Sequence, residues 1–152
     1  MPDIAADEPP SIATLEGYRA AGWSWVITGG GPSAPVAGYV LVDVLDEPGR
    51  RPGERAAHVE QVSVDPLFSH RGLGRRLLDH VADIARGHGL DAITLTTFRD
   101  VPWNAPYYGR CGFRVLDDDD IGPGLRRVRD REAAHGLDPA GRVCMRREVD
   151  RR

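Results

Sequence analysis

The stretch HVEQVSVDPLFSHRGLGRRLLDHVADIAR, residues 58–86, decides how the rest of the chain is arranged. Loosely alternating apolar and polar residues predict a strand through Val64. The strand ends at Asp65-Pro66, because proline restricts the residue before it and cannot donate to a ladder. After Gly74 the apolar residues recur at helical spacing. They are Leu73, Leu77, Val81 and Ile84 with Ala85.

The join between strand and helix is a glycine-bearing turn. Gly72 and Gly74 lack side chains, so the backbone amides of residues 70–75 can approach a ligand closely. The N-terminus of a helix also leaves unpaired N–H groups and a partial positive charge, which together favour a pyrophosphate. Arg71 and Arg75 can add charge-assisted contacts. The alternative is a helix start whose glycines serve only tight packing.

Two other phosphate motifs do not fit this turn. A Walker A loop needs Lys followed by Ser or Thr after its last glycine, and Arg75-Arg76 stands there instead. A dinucleotide fingerprint needs three glycines and an acidic residue at the end of the next strand, and neither is present in a convincing form. Both nucleotide interpretations are therefore rejected.

Composition limits the remaining classes. A chain of 152 residues with a net charge of −3 indicates one domain and gives no electrostatic reason for nucleic-acid or membrane binding. Lysine is absent, which excludes a lysine nucleophile. Cys111 and Cys144 form no metal motif and indicate reduced thiols. Without a signal peptide or long apolar run, we expect a soluble cytoplasmic protein that holds no metal.

The rest of the chain predicts an α/β fold with a central mixed β-sheet flanked by helices. Residues 1–10 are expected to be a flexible segment and residues 11–150 the domain. Because a strand, a helix and a strand follow one another over residues 59–98, we expect a parallel crossover. The other predicted elements are a helix capped by Ser11, hairpin strands 23–28 and 36–45, a flexible loop 47–55, a short helix capped by Asn104, an acidic turn 117–120, a helix 123–135, and strands from 113 and over 142–149.

Two motifs in this order, SHRGLGR (69–75) and NAPYYGRCGF (104–113), resemble the GNAT superfamily of acyl-CoA-dependent N-acetyltransferases. The resemblance implies that acetyl-CoA is the acyl donor. The family turn begins with Arg or Gln, and Ser69 departs from it, which removes a side-chain contact but leaves the backbone amides. The residues implied to hold the pyrophosphate are Ser69, His70, Arg71, Gly72, Leu73, Gly74 and Arg75.

The resemblance also implies roles outside the turn. Pantetheine would pair with backbone groups of Val62, Ser63 and Val64, beside a slot where two parallel strands separate. Asn104 would contact the cofactor arm. Tyr108 would protonate the departing thiolate, and Glu60 would be the catalytic base.

The chemistry of the reaction leaves alternatives open at two of these positions. Acetyl transfer needs a neutral amine, hence a base acting directly or through water. His58 shares a strand face with Glu60 by two-residue periodicity, so Glu60, His58 or a water is the candidate base, although His58 is expected to be surface-exposed. Tyr107 competes with Tyr108 for the role of acid.

The sequence therefore predicts an N-acetyltransferase that acts on a primary amine by direct attack in a ternary complex. A non-catalytic acyl-CoA-binding or regulatory module is the main alternative, and an interaction domain is a third. Met1 stands where the family has the middle of its first strand and helix, so the chain is expected to be N-terminally abridged. Homodimers are frequent in the family. The candidates to line the acceptor pocket, near where the strands separate, are Thr96, Thr97, Phe98, Arg99 and Trp103.

Overall fold

A helix and a strand hairpin open the described part of the chain. The computed structural model describes residues 11–30, 33–46, 53–101, 104–136 and 141–149. Helix α1 (Ile12–Ala21) begins where the Ser11 hydroxyl accepts a hydrogen bond from the Thr14 N–H, as predicted, and ends at Gly22, whose φ is +78°. Strands β1 (Ser24–Thr28) and β2 (Val36–Asp46) then pair antiparallel.

The central stretch forms the predicted strand, turn and helix. Strand β3 (Arg55–Val64) begins earlier than predicted and ends at Asp65, whose carboxylate accepts the Leu67 N–H and starts a 3₁₀ turn, Pro66–Phe68. Helix α2 covers Leu73–Gly87. Its apolar face is buried, and each large side chain on that face contributes roughly 1.5–3 kcal/mol to folding. The buried residues are Leu73, Leu77, Leu78, Val81, Ala82 and Ala85.

The remaining elements complete a mixed sheet. They are β4 (Ala92–Phe98), α3 (Ala105–Arg110), β5 (Arg114–Val115), a 3₁₀ turn (Asp118–Asp120), α4 (Pro123–Ala134) and β6 (Arg142–Glu148). The strand order is β1-β2-β3-β4-β6-β5. Strands β3 and β4 are parallel, as the crossover predicted, whereas β6 is antiparallel to both β4 and β5.

The chain packs as two compact units. We call the one with residues 11–43 and 59–80 the hairpin unit, and the one with residues 44–58 and 81–149 the C-terminal unit. Val40, Leu41 and Leu78 are buried in the hairpin unit, and Ile93, Leu125 and Met145 in the C-terminal unit. Both cysteines are free thiols, as expected, and both are buried.

Some predictions concern residues outside the described ranges. These are the flexible segment 1–10, residues 31–32 of the hairpin turn, residues 47–52 of the charged loop, and Trp103. Among the described residues, no helix is both long and apolar enough to cross a bilayer.

Candidate functional site

The glycine turn, residues 69–75, lies in the hairpin unit between the 3₁₀ turn and α2. Two of its residues have left-handed backbone conformations: His70 with φ +62° and Gly72 with φ +72°. Only glycine adopts this region freely, so a side chain at either position strains the backbone. Gly72 avoids this strain and His70 does not. Ser69 donates its hydroxyl to the Pro66 carbonyl at 2.9 Å, which keeps that side chain within the turn.

The turn presents main-chain donors at the start of α2. The Arg76 N–H donates to the Gly72 carbonyl at 3.0 Å and closes the first helical turn. The N–H groups of Leu73, Gly74 and Arg75 precede it, at positions that an α-helix leaves without an intrahelical acceptor. Arg71 and Arg75 are exposed. Donors, helix dipole and two exposed guanidinium groups together make an arrangement that can bind an anion.

The ring of Phe68 packs against the glycine turn, a contact that the sequence analysis did not predict. The Arg71 guanidinium lies 5.3 Å from the centroid of the Phe68 ring. A Cβ on Gly29 would lie 2.2 Å from Cε1 of Phe68, so the ring occupies the space that a side chain at position 29 would need. Gly29 is therefore required for Phe68 to support Arg71.

The end of β3 offers main-chain groups on one edge. A Cβ on Gly38 would lie 2.6 Å from the Ser63 carbonyl oxygen, and the Asp65 N–H donates to the Ala37 carbonyl at 2.7 Å. Ser63 therefore directs its main-chain carbonyl towards β2. Because neighbouring residues of a strand direct these groups to opposite edges, those of Val62 and Val64 face away from β2.

The two candidate bases lie in different environments. Glu60 is exposed in the hairpin unit, whereas His58 belongs to the C-terminal unit and is 2% exposed. The expectation that His58 is surface-exposed is wrong, because β3 is buried continuously from Ala56 to Val59 instead of alternating, as strands covered on both faces do.

Burial also sets the charge of His58. Its Nδ1 lies 3.0 Å from the Thr94 hydroxyl. Burial, reinforced by the positive charge of Arg131, lowers the pKa of His58 to about 3 from its ordinary value of 6.5. A histidine that ionises so far below neutral pH is a poor proton acceptor for an amine.

Asn104 stands at the N-cap position of α3 without capping it. Its φ of −115° and ψ of −108° are not the extended conformation from which a cap side chain reaches the first turn, and it makes no capping hydrogen bond. The predicted side-chain cap is therefore wrong. Nδ2 of Asn104 is instead fully buried and has no hydrogen-bond partner among the described residues. A buried amide without a partner destabilises the protein by about 1–3 kcal/mol and marks a place where a ligand oxygen would fit.

Tyr108 lies on α3 in the C-terminal unit and is 6% exposed. Its ring packs edge-to-face with those of Tyr107 at 5.4 Å and Phe113 at 6.0 Å. Burial raises the pKa of Tyr108 above its ordinary value of 10, so the phenol is protonated at neutral pH. Tyr107 is half-buried, with the Arg110 guanidinium 5.8 Å from its ring centroid.

A partly buried polar cluster joins two of the predicted pocket residues, Thr96 and Phe98, to two residues that the sequence analysis did not single out, Glu132 and Arg142. We call Thr96, Phe98, Glu132 and Arg142 the Arg142 cluster. Arg142 donates from Nε and Nη2 to the two Glu132 oxygens at 3.1 Å each, and from Nη2 to the Thr96 hydroxyl at 2.9 Å. The Thr96 hydroxyl donates to Glu132 in turn. The signal that could have indicated it is that Arg142 and Arg146 lie four residues apart, on one face of a strand, with the apolar residues 143–145 between them.

Within the described residues, no group of three or more His, Cys, Asp or Glu side chains is placed to hold a metal ion. The functional residues thus fall into two sets, each within one unit. The hairpin unit carries Glu60, the end of β3 and the glycine turn, and the C-terminal unit carries Asn104, Tyr108 and the Arg142 cluster.

Comparison with known proteins identifies the family of this chain. The sequence profile described as "Acetyltransferase (GNAT) family" matches residues 6–113. A glucosamine 6-phosphate N-acetyltransferase from Trypanosoma brucei brucei is 33% identical over 65 residues, which make up 43% of this chain and 42% of that protein. This chain therefore spans less than half the length of that relative.

Solved structures share the fold. N-acetylglutamate synthase from Neisseria gonorrhoeae, complexed with coenzyme A and N-acetyl-glutamate, superposes with a TM-score of 0.69 at 18% identity, over 94% of this chain and 29% of that one. The NatB acetyltransferase complex bound to CoA and MES gives a TM-score of 0.68 at 14% identity, over 95% and 86% of the respective chains. With the six-stranded mixed sheet, these findings confirm the fold and the family that the two motifs predicted, and the chain belongs to the acetyltransferase (GNAT) family.

Proposed function

We propose that residues 11–150 form a cytoplasmic N-acetyltransferase that moves an acetyl group from acetyl-CoA to a primary amine by direct attack in a ternary complex. The observation that carries the proposal is the glycine turn, where two left-handed residues open the N-terminus of α2 as a set of main-chain donors. Family membership supports the reaction class, and coenzyme A is bound in both superposed structures.

The chain has groups that fit each part of acetyl-CoA. The amides of residues 70–75 would bind the pyrophosphate, with Arg71 and Arg75 beside them. The main-chain groups of Val62 and Val64 face away from β2 and would pair with the pantetheine arm, whereas Ser63 is turned towards β2. The partnerless Nδ2 of Asn104 would donate to an oxygen of the same arm.

Transfer needs one proton removed and one supplied. The amine nitrogen forms a bond to the thioester carbonyl carbon, the C–S bond breaks, and the thiolate leaves. Tyr108 would protonate that thiolate, since its neutral phenol holds a proton and a phenol can act as a general acid. Glu60, directly or through a water, would take the proton from the amine, because the lowered pKa of His58 removes it from this role.

The acceptor is proposed only by chemical class. The Trypanosoma brucei brucei relative is described as acting on glucosamine 6-phosphate, and the Neisseria gonorrhoeae structure holds N-acetyl-glutamate. Glucosamine 6-phosphate carries an amine and a phosphate, and N-acetyl-glutamate carries an acetylated nitrogen and carboxylates. A non-catalytic acyl-CoA-binding module is the second candidate, and it would keep the turn without needing a neutral phenol at Tyr108.

Thermal unfolding with and without acetyl-CoA tests cofactor binding, with NAD as the control ligand. At about one hundred times its Kd, acetyl-CoA should stabilise the protein by roughly 2.7 kcal/mol, a shift of several degrees. A cooperative transition that acetyl-CoA leaves unmoved would mean that the turn is only structural.

Turnover on an amine panel then tests catalysis, with Tyr108→Phe and Tyr107→Phe as matched variants. We expect Tyr108→Phe to lower kcat by about 10²–10⁴-fold and Tyr107→Phe to lower it far less. Binding of acetyl-CoA without transfer to any amine would favour the non-catalytic module. Full activity in Tyr108→Phe would reject Tyr108 as the acid.

A further inference from the structure

The Arg142 guanidinium is held rigidly on three sides. Both oxygens of Glu132 accept from it, the Thr96 hydroxyl accepts from Nη2, and its Cζ lies 4.9 Å from the centroid of the Phe98 ring. The side chains of Arg142 and Glu132 are only 9% and 17% exposed. Bidentate pairing and ring stacking fix the plane of the guanidinium before any ligand arrives.

One edge of this guanidinium remains open. Within the described part of the chain, the side chain of Arg142 donates from Nε and Nη2, and Nη1 has no hydrogen-bond partner. Among the described residues, the one fully buried side-chain nitrogen or oxygen that lacks a partner is Nδ2 of Asn104. Nη1 of Arg142 also lacks a partner, so it is accessible to solvent. Nη1 therefore offers two N–H donors to a ligand.

The N–H groups of Nη1 are free to bind an anion because Glu132 uses only Nε and Nη2. Glu132 already spends both oxygens on Arg142. Arg129 and Arg131 lie on the same helix, α4, and the positive charge of Arg131 is felt as far away as His58, whose pKa it helps to lower. A carboxylate or phosphate would accept from Nη1 without displacing Glu132.

We propose that Arg142 binds the anionic group, a carboxylate or a phosphate, of the amine that is acetylated. The proposal rests on the proposed acetyltransferase function and names its substrate class. It makes Arg142 a specificity residue, and Glu132, Thr96 and Phe98 the residues that position it. The cluster sits at the end of β4, from which the chain leads through residues 99–104 to α3 and Tyr108.

Matched amines test the proposal by turnover. The pairs are amino acids with their carboxamides, and glucosamine 6-phosphate with glucosamine, so the two arms separate carboxylate from phosphate. We expect kcat/KM to favour the anionic member of at least one pair by about 10–100-fold, the usual value of a hydrogen bond to a charged group. Mass spectrometry of the acetylated amine gives the rates.

Three variants assign any preference to Arg142. Arg142→Gln alone leaves the Glu132 carboxylate buried without its partner, so the double variant Glu132→Gln/Arg142→Gln is measured beside it. Both should bring the ratio within about twofold of unity, the loss expected when a charged hydrogen bond is removed. Arg114→Gln is the control, because Arg114 is exposed and pairs with Glu148 at 3.1 Å. A wild-type enzyme without preference, or a preference that survives in both Arg142 variants, overturns the proposal.

A second readout separates this proposal from the proposed function. Acetate and inorganic phosphate are titrated into CoA-saturated protein, and the arginine side-chain NMR signal that Arg142→Lys abolishes is followed. If no amine is acetylated but this signal shifts, the anion site stands and the acetyltransferase proposal fails. If the signal does not move with either anion, the site at Arg142 is rejected.

Discussion

The glycine turn and the Arg142 cluster build polar sites in opposite ways. The turn uses main-chain groups of seven consecutive residues, 69–75, and leaves most of them exposed. The cluster uses side chains from β4, α4 and β6, and two of its residues, Thr96 and Arg142, are separated by 46 positions. A main-chain site is encoded locally, because glycine and helix polarity suffice to form it. A side-chain site exists only after distant elements have packed.

The Arg142 cluster lies beside further polar residues on the same strands, β4 and β6, of the C-terminal unit. Four polar residues lie opposite one another across neighbouring strands, and we call them the polar row. They are, in strand order, His58, Thr94, Arg146 and Arg114. Arg146 pairs with Glu54 at 3.3 Å and with Glu148 at 2.8 Å. Partial burial by itself would raise the pKa of Glu148, but hydrogen bonds from Arg146 and Arg114 hold it below its ordinary value. Of these pairs, Arg146–Glu54 is the buried one, and removing one partner of a buried pair destabilises a protein by roughly 3–5 kcal/mol.

The largest expected effect tests the polar row through pH. The pKa of His58 is lowered from 6.5 to about 3 in the folded protein. Between these two pH values His58 is therefore protonated in the unfolded chain and neutral in the native state. Its contribution to stability is therefore complete above pH 6.5 and is lost as pH falls towards 3, at up to about 1.4 kcal/mol per pH unit. Chemical denaturation at several pH values should give a shallower acid slope for His58→Asn. His88→Asn, which removes an exposed histidine, serves as the control, and equal slopes in wild type and His58→Asn would contradict the prediction.

The next effect tests the turn by comparing two glycines with the same backbone. Gly72 and Gly89 have φ of +72° and +71°, and no atom lies within 4 Å of a Cβ added to either. Alanine at each should destabilise the protein by about 1–2 kcal/mol, since both must hold a left-handed conformation. Only Gly72→Ala should also weaken acetyl-CoA binding, by about tenfold or more, because its methyl group crowds the amides. Isothermal titration measures the affinity, and equal affinities in the two variants would show that the turn does not bind the cofactor.

A smaller effect is expected at Asn104, whose side chain is buried like the cluster but has an unpaired donor. Asn104→Leu should raise the stability of the ligand-free protein by about 1 kcal/mol, because it removes a buried amide nitrogen that lacks a partner. The same change should weaken acetyl-CoA binding. Thermal unfolding with and without acetyl-CoA reports both quantities. A less stable ligand-free variant would indicate that the amide already has a partner.

The smallest effect concerns strain in the turn. His70 is the one non-glycine residue with positive φ among the residues described, so His70→Gly should stabilise the protein. The gain should be about 0.5–1 kcal/mol, once the greater freedom of glycine in the unfolded chain is counted. His88→Gly makes the same replacement at ordinary φ and should instead destabilise by a similar amount. A destabilised His70→Gly would mean that side-chain contacts, not strain, govern this position.

The sequence by itself determined the elements whose causes are local. Pro66 ended β3, the spacing of Leu73, Leu77 and Val81 set the buried face of α2, and the Ser11 cap started α1. The glycine turn and the short helix of Tyr108 followed from motif order, and that order was enough for the family.

Only the tertiary structure decided the environment of the individual side chains. His58 was misread because alternation along one strand cannot show that a strand is covered on both faces. The side chain of Asn104 proved to be buried without capping, since its backbone angles are set by the fold and not by its residue type. Arg142 and Glu132 gave no joint signal, because the attraction that pairs them acts through space and is strong only where packing has excluded water.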